Sequence, residues 1–412
     1  MALAKAMSND RALWFILATI LIDAIGVGLI FPLMPDLMDR VGAGGASNGA
    51  VLGGILMAAY AATQFLCAPA VGGLSDAVGR KPVLLVALAT LAVDYVIMAL
   101  ATSFWLLLVG RLLAGVAGAT YITATAYLAD ISTPEKRAAN FGLIGATFGI
   151  GFVLGPALGG LLAGIDVTAP FWVAAALSAA NVAFGLAVLP ESLAPAKRRA
   201  FRASDLNPFG AIRDAFRMPA LALPLACMFV FEFANMVYPT LWAFWGREAF
   251  GWSATMIGGT LAAYGVGVAL TQGLVLPALL KRMSEHGVLT FALLTGTVAA
   301  FAFGFTTAPW LVAVILPIAC LSDMAPPTLT AIMANATDED RQGVLQGVIA
   351  SLGSLAAIFA PLLMTPLFRH YTGPDTPFHM PGAPFLFAGF LMLLIFPVVN
   401  RIRLRTETAS GA

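Results

Sequence analysis

Long apolar runs alternate with short polar segments along the whole chain. A helix that crosses about 30 Å of hydrocarbon needs about 20 apolar residues, and most of the runs have at least this length. The pattern therefore predicts twelve membrane-spanning helices, at residues 13–37, 48–73, 82–101, 104–129, 137–164, 169–189, 219–246, 253–280, 286–305, 308–334, 342–368 and 383–402.

Composition excludes a soluble fold. Only 10% of the 412 residues are charged, whereas soluble proteins carry roughly 25%. The mean hydropathy is +0.91, and a net charge of +1 gives no general attraction to nucleic acid. We expect a lipid bilayer, and no nucleic acid, as the surroundings of this chain.

The longest polar connector, residues 190–218, divides the predicted helices into two sets of six. The sequence thus predicts an N-terminal half at 1–189 and a C-terminal half at 219–412. Residues 129–156 and 334–361 align at a constant offset of 205, which favours an internal duplication. The predicted fold class is an all-α membrane protein with two pseudo-symmetric six-helix halves.

Basic residues predict the orientation of the spans. If the N-terminus is cytoplasmic, eighteen of the 22 lysines and arginines fall in inner segments. The outer loops then hold Arg40, Arg247 and Arg369, and Arg111 lies inside a span. Because inner loops of membrane proteins are enriched in Lys and Arg, we expect both termini in the cytoplasm.

Residues typical of catalysis or metal binding do not form recognisable patterns. The three cysteines lie in apolar runs, and the three histidines lack the spacing of metal ligands. The sequence contains no phosphate-binding G-x-x-x-x-G-K-[ST] loop, G-x-S-x-G elbow or H-E-x-x-H pair. We expect no cofactor, no metal and no enzymatic activity.

A compact charged segment separates the second and third spans: Gly72-Gly73-Leu74-Ser75-Asp76-Ala77-Val78-Gly79-Arg80-Lys81-Pro82. Its first two glycines permit a tight turn, and Asp76 is placed to cap the following helix. Arg80 can reach Asp130 at the inner end of the fourth span and so join two spans. The alternative is that Arg80 and Lys81 only anchor the loop in the cytoplasm.

The fourth span contains an arginine, Arg111, about 9 Å below the outer surface. A charge at such a depth costs about 3 kcal/mol even on a lenient insertion scale. We therefore expect Arg111 to face the protein interior and to bind a carboxylate or a carbonyl. The alternative is an arginine that extends to the membrane surface.

Two aspartates, Asp23 in the first span and Asp94 in the third, lie near the middle of the bilayer. An ionised carboxylate is costly there, so each aspartate can exchange a proton. Asp23, Asp94 and Arg111 are the main candidates for proton coupling. The alternative is a permanently paired carboxylate that never titrates.

Several motifs together resemble the twelve-helix tetracycline–proton antiporters of the major facilitator superfamily. They are L-x-D-A-x-G-x-G-L-I-x-P-x-x-P from Leu21, Asp94-Tyr95, G-R-L-L-x-G-x-x-G-A-T from Gly110, and Phe250-Gly251-Trp252. The similarity covers nearly the whole chain and is strongest in residues 20–160. It implies a drug–proton antiporter with the major facilitator fold.

The resemblance also implies roles for particular residues. Asp23, Asp94 and Arg111 match that family's functional intramembrane charges, and Gln272 matches a polar position of its eighth helix. A conformational latch that stabilises the outward-facing state is implied at Asp76, Gly79, Arg80 and Asp130. A motif that marks antiporters is implied in the fifth span at Gly151, Gly155, Pro156, Gly159 and Gly160.

The C-terminal half departs from these pumps. They carry a His in the eighth helix and an Asp in the ninth, where this chain has Val268 and Gly296. Glu232 in the seventh span and Asp323 in the tenth are expected to replace the missing pair, as proton sites or as sites for a cationic substrate.

The expected substrate-binding residues are therefore Asp23, Glu232, Asn235, Gln272 and Asp323. The alternative for the two acids of the C-terminal half is that Asn235, Ser322 or a neighbouring helix satisfies them. In that case neither carboxylate would exchange a proton or bind substrate.

The sequence thus predicts a proton-coupled antiporter of the bacterial cytoplasmic membrane that acts as a monomer. It would export amphipathic small molecules, tetracycline-like or multidrug, by alternating access. The first alternative is a proton-linked transporter of a specific metabolite on the same fold. The second is a membrane receptor or an integral membrane enzyme that transports nothing.

Overall fold

A computed structural model describes residues 2–410, except 119, 203–205, 211, 212, 214–220, 339, 340 and 377. The end of the predicted connector, with Arg217, lies outside the described residues. The first helices are α1 (Ala2–Arg40), α2 (Ala46–Val78), α3 (Arg80–Leu100), α4 (Phe104–Ala117), α5 (Thr120–Ile131), α6 (Pro134–Ala163) and α7 (Ala169–Val188).

The second part of the chain is also helical. It contains α8 (Ala222–Asn235), α9 (Val237–Phe250), α10 (Ala254–Leu270), a π-helical segment (Thr271–Val275), α11 (Leu276–Leu280), α12 (Glu285–Phe305), α13 (Pro309–Ser322), α14 (Ala325–Asn335), α15 (Gln342–Thr372) and α16 (Ala383–Ser410). Across the described ranges, every long regular element is a helix, as the sequence predicts.

The number of spans agrees with the predicted fold. In the described chain, eleven helical stretches are long and apolar enough to cross a membrane, and the shorter apolar helix Ala383–Val399 completes a set of twelve. Large apolar side chains are widely exposed, for example Trp105 at 72% and Leu274 at 66%. Such exposure is costly in water but favourable against lipid, so these surfaces face the hydrocarbon.

Two of the spans are interrupted at equivalent positions. In the fourth span α4 ends at Ala117, and in the tenth α13 ends at Ser322. These two positions are separated by 205 residues, which is the offset of the predicted internal repeat. The backbone breaks thus follow the same repeat as the sequence.

The charged segment after the second span is more helical than the sequence predicts. The expected turn at Gly72 and Gly73 is wrong, because α2 continues to Val78. The chain turns at Gly79, whose φ of +115° lies in the region that favours glycine. Gly79, and not Asp76, occupies the N-cap position of α3. The Asp76 carboxylate instead contacts the side chains of Arg80 and Arg199.

Contacts between Cα atoms divide the chain into two compact units. Unit 1 comprises Met1–Gly42, Ala59–Pro208 and Ser253–Ala262, and unit 2 comprises Ala43–Ala58, Phe209–Trp252 and Ala263–Ala412. In unit 1, α1 packs along α6, and α3 packs against α4 and α7. In unit 2, α12 packs against α13 and α16, and α8 packs against α15 and α16.

Each unit has its own apolar core. Part of the core of unit 1 is formed by Phe15, Ile16, Ile20, Tyr127 and Leu128. Unit 2 has an aromatic core in which Trp242, Trp245, Phe303 and Phe385 pack ring against ring. The domain boundaries given by the sequence, at 190–218, stay a prediction.

Candidate functional site

Asp94 and Arg111 form a buried ion pair in unit 1. Arg111 on α4 donates from Nη2 to Asp94 Oδ2 on α3. Asp94 is 0% exposed and Arg111 is 7% exposed. Both side chains are buried, so Arg111 faces a carboxylate in the interior, as its position in an apolar run predicts.

The residue beside Arg111 makes room for this pair. A Cβ atom at Gly110 would lie 2.6 Å from Asp94 Oδ1, which is too close for any other residue. The guanidinium group lies 5.7 Å from the centre of the Tyr60 ring, at a distance suited to a cation–π interaction. Within the described chain, Asp94 Oδ1 and Arg111 Nε are buried without a hydrogen-bond partner.

Asp23 lies close to the same group. Its carboxylate acts electrostatically on Tyr60 and Tyr95, as do Asp94 and Arg111. The Tyr95 hydroxyl lies where a Cβ atom at Gly26 would be, so Gly26 lets α1 approach α3 one turn from Asp23. Asp23 itself is half-buried. The structure thus brings the three predicted charges around two tyrosines.

The glycine motif of α6 holds α1 in place. Cβ atoms at Gly151, Gly155 and Gly159 would lie 2.6 Å from atoms of α1, namely Ala24 Cβ, Ile25 O and Leu29 O. The three glycines lie one turn apart and face the segment of α1 that carries Asp23.

The remaining residues of this motif contact the first turns of α10, within unit 1. The Thr255 hydroxyl donates to the Gly160 carbonyl at 2.8 Å. A Cβ atom at Gly258 would lie against the Pro156 carbonyl and 3.1 Å from Gly160 Cα. The motif therefore presents one face to α1 and another to α10.

Asp323 is the centre of a polar cluster in unit 2. It lies at the break between α13 and α14, and its Oδ2 accepts a hydrogen bond from the Tyr264 hydroxyl. Asn235 and Glu232 lie near enough to this carboxyl group to act on it. Gln272 donates from Nε2 to the Asp323 carbonyl at 3.1 Å. Four predicted residues thus meet at one place, together with one tyrosine that the sequence analysis missed.

Three polar residues of this cluster lie where a helix is irregular. Asn235 is the last residue of α8, Asp323 separates α13 from α14, and Gln272 lies in the π-helical segment. Such interruptions free backbone groups and are frequent at functional sites of membrane proteins. The predicted contact between Ser322 and an acid is not observed among the described residues, since its hydroxyl donates to the Ala319 carbonyl at 2.7 Å.

The space at Gly296 is filled by neighbouring side chains. A Cβ atom there would lie 2.9 Å from Ser322 Cβ and 3.1 Å from Met392 sulfur. An aspartate at this position, as in the pumps that the chain resembles, would not fit without rearrangement. The acid beside it in unit 2 is instead Asp323, the residue that follows Ser322.

The predicted latch residues also meet, in unit 1. Arg80 Nη1 contacts the Asp76 carboxylate, and Arg80 Nε lies 3.3 Å from Asp130 Oδ2. The start of the connector joins this group, because Ser192 donates to Asp130 at 3.0 Å and Arg199 donates to Asp76 at 2.8 Å. The contact between Arg80 and Asp130 is the one that the sequence analysis anticipates.

Glu191 caps α3 from a distant part of the chain. Its Oε1 accepts from Arg80 N at 2.9 Å and its Oε2 from Lys81 N at 3.3 Å. Carboxylates at a helix N-terminus satisfy free N–H groups and interact favourably with the helix dipole. From the sequence this cap is expected at Asp76, because Asp76 lies closer to α3 along the chain.

Replacement of Glu191 by glutamine is expected to lower the free energy of unfolding by about 1 kcal/mol, because the cap loses its charge. Replacement by alanine should cost about 2 kcal/mol. Unfolding in detergent measures both changes. Equal stability of the alanine variant and the wild type would contradict the capping role.

Comparison with known proteins gives the family. The profile of the Major Facilitator Superfamily matches residues 16–361 and 248–410. The chain belongs to the Major Facilitator Superfamily. Members of this superfamily are transport proteins that span a membrane, and the predicted twelve-helix fold is thereby confirmed.

Relatives in the superfamily are drug-resistance proteins. The chain is 38% identical over 363 residues to the tetracycline resistance protein of class C from Escherichia coli, which covers 88% of this chain and 91% of that protein. It is 29% identical over 402 residues to multidrug resistance protein 2 of Bacillus subtilis, covering 95% of each chain. The predicted class, a drug exporter of the Major Facilitator Superfamily in the bacterial inner membrane, is confirmed.

A solved member of the superfamily shares the fold. The crystal structure of the human organic anion transporter MFSD10 superposes with a TM-score of 0.69 at 25% identity, over 95% of this chain and 99% of that one. Agreement over nearly the full length of both chains means that the architecture includes all predicted spans.

No role was predicted from the sequence for three tyrosines and one glutamate near the candidate sites: Tyr60, Tyr95, Tyr264 and Glu191. Tyrosine in an apolar run has no charge to mark it. Tyr264 does lie eight residues before Gln272, about two turns along the same span, and this spacing was a usable signal.

Proposed function

We propose that the protein exports amphipathic, tetracycline-like compounds in exchange for protons. The observation that carries the proposal is the buried Asp94–Arg111 pair with Asp23 beside it, in the region that most resembles the tetracycline antiporters. Intramembrane charges are costly and are retained where they serve transport. The resistance functions named for the relatives at 38% and 29% identity support this choice of substrate.

In this proposal, two groups of residues have different roles in transport. Asp23, Asp94 and Arg111 form the coupling group of unit 1, in which Arg111 balances the charge of Asp94 while Asp23 exchanges its proton. Glu232, Asn235, Gln272 and Asp323 form the second group, in unit 2. There a carboxylate binds either a proton or a cationic part of the substrate.

In the transport cycle, the substrate and the proton compete for these carboxylates. A substrate that enters from the cytoplasm displaces a proton from Asp23, Glu232 or Asp323, and the carrier then opens outwards. Release of the substrate is followed by the binding of an outside proton, which resets the carrier. Each 100 mV of membrane potential supplies about 2.3 kcal/mol per charge moved, so proton entry can drive uphill export.

The remaining parts of the proposal concern topology and control. Both termini lie in the cytoplasm, since this orientation places most basic residues inside, and one chain forms the working unit. Asp76, Gly79, Arg80 and Asp130 act as a latch on the cytoplasmic side, and the glycine motif of α6 supports antiport by holding α1 against α6.

A susceptibility panel tests the proposal. The wild-type gene in a pump-deficient bacterial host should raise the inhibitory concentration of tetracyclines severalfold, and Asp23→Asn should abolish this protection because it removes the exchangeable proton. Asp166→Asn is the matched control, because Asp166 lies exposed in a loop and bonds Thr168.

Two outcomes would contradict the proposal. Unchanged proton-driven efflux by Asp23→Asn in membrane vesicles would remove Asp23 from the mechanism. Unchanged susceptibility to every compound on the panel would favour a transporter dedicated to one metabolite.

A further inference from the structure

Tyr264 binds Asp323, the acid at the break between α13 and α14 in unit 2. Its hydroxyl donates to Asp323 Oδ2, while Gln272, two turns further along the span, donates to the backbone carbonyl of Asp323. The side chain and the backbone of Asp323 are thus fixed from the same span. A carboxylate held in this way has a defined direction, and its oxygens keep acceptor sites for a bound donor.

Packed aromatic rings, led by Tyr264 and Tyr238, form an aromatic wall beside this carboxylate. The Tyr264 ring stacks on the Tyr238 ring, with centroids 5.9 Å apart and planes inclined by 22°. Tyr238 in turn packs against Trp242 and Phe385 at 6.1 and 5.7 Å. The wall is therefore anchored in the core of unit 2.

Polar atoms next to the wall are left without protein partners. Within the described chain, the Tyr238 hydroxyl is buried with no hydrogen bond, on a residue only 6% exposed, and so is Asn235 Oδ1. Because buried polar groups are normally satisfied, these atoms indicate a ligand with hydrogen-bonding groups.

The acidic groups of the cluster determine the sign of the charge that such a ligand carries. The groups that face Asp323 are Glu232 and Asn235 on α8, Tyr238 on α9, Tyr264 on α10 and Cys320 on its own helix. Of these, Glu232 is the second acidic residue, so the region holds two carboxyl groups. A cation balances such a region, and an aromatic face adds to its attraction.

We propose that Tyr264 and Asp323 recognise a protonated amine attached to a flat ring system, and that Tyr264 sets the preference of the exporter for such compounds over uncharged ones. This inference rests on the proposed export function. The Tyr264 hydroxyl directs the carboxylate towards the amine, and its ring supports the flat part of the compound.

The test compares two compounds that differ in the amine. Tetracycline carries a dimethylamino group, and 4-dedimethylaminotetracycline lacks it. Transport of both by the purified full-length protein in proteoliposomes, driven by an imposed proton gradient, gives KM and kcat for each compound. We expect the wild type to have a KM for tetracycline about tenfold below that for the analogue, since charge-assisted hydrogen bonds are strong.

The decisive variant is Tyr264→Phe, which removes one oxygen and keeps the ring. Its KM for tetracycline should rise about tenfold, its KM for the analogue should change less than twofold, and kcat should stay within about twofold for both. Tyr264→Leu should raise both KM values, because it also removes the ring. Tyr121→Phe is the control, since Tyr121 lies in unit 1 with its ring edge-on to Phe148.

Two results would overturn the inference. One is a Tyr264→Phe variant that keeps the wild-type preference for tetracycline, which would leave Tyr264 a structural role only. The other is a wild type that handles the two compounds equally, transporting both or neither. The susceptibility panel and Asp23→Asn decide the export function separately, so the two failures can be told apart.

Discussion

An Arg111→Leu variant is expected to lose drug export and about 3 kcal/mol of its free energy of unfolding. The substitution leaves Asp94 fully buried without its partner. Removal of one member of a buried ion pair typically costs 3–5 kcal/mol, because the remaining charge is uncompensated. Cation–π contact with Tyr60 is lost as well. Unfolding in mixed micelles and transport in vesicles measure the two effects.

A double variant separates stability from function. Arg111→Leu combined with Asp94→Leu removes both charges and should recover most of the lost stability, since replacing a buried pair by apolar residues is often neutral. Export should stay at background, because the coupling group is gone. Arg369→Leu, at the exposed end of α15, is the control. Wild-type stability of the single variant would show that Arg111 does not balance Asp94.

A Gly155→Leu variant is expected to lower export more than tenfold. A Cβ atom at Gly155 would lie 2.6 Å from the Ile25 carbonyl and 2.8 Å from Gly28 Cα, so any side chain forces α1 away from α6. Because these are backbone atoms, the helix must move as a whole. Overpacking of this kind costs 1–3 kcal/mol or more, and it displaces Asp23.

The same helix offers the control for this variant. Nothing lies within 4 Å of a Cβ atom at Gly149, so Gly149→Leu adds the same side chain without a clash. Export per folded molecule, measured in vesicles and normalised to the amount of monodisperse protein, should be near the wild-type value for Gly149→Leu. Equal losses in both variants would mean that glycine at these positions matters for insertion rather than for packing on α1.

The fold was largely predictable because lipid imposes a simple rule on the sequence. Each span needs a long apolar run, and the runs mark the spans to within a few residues. The breaks within the fourth, seventh and tenth spans and the π-helical segment of the eighth span were not predictable. Neither Met236 nor Asp323, for example, differs in type from residues found inside helices. Gly72 and Gly73 were misjudged as a turn, although glycine is compatible with a membrane helix that packs closely.

The charged residues of the candidate sites were predictable from the sequence. Asp23, Asp94, Arg111, Glu232 and Asp323 stand out in apolar runs, and the structure brings them together in two groups. Their neutral partners did not stand out, since a tyrosine such as Tyr264 is common in membrane helices. Glu191 was missed for a different reason, because it caps a helix that begins 111 residues earlier in the chain.

The matching interruptions of the fourth and tenth spans bear on how related exporters are recognised. Gly118 follows the end of α4 and Asp323 follows the end of α13, at corresponding points of the predicted repeat. The two interruptions thus share their offset in the sequence but carry different chemistry. Surveys of resistance genes that require an acid in the ninth helix would overlook proteins like this one, whereas a search for a carboxylate at either interruption would find them.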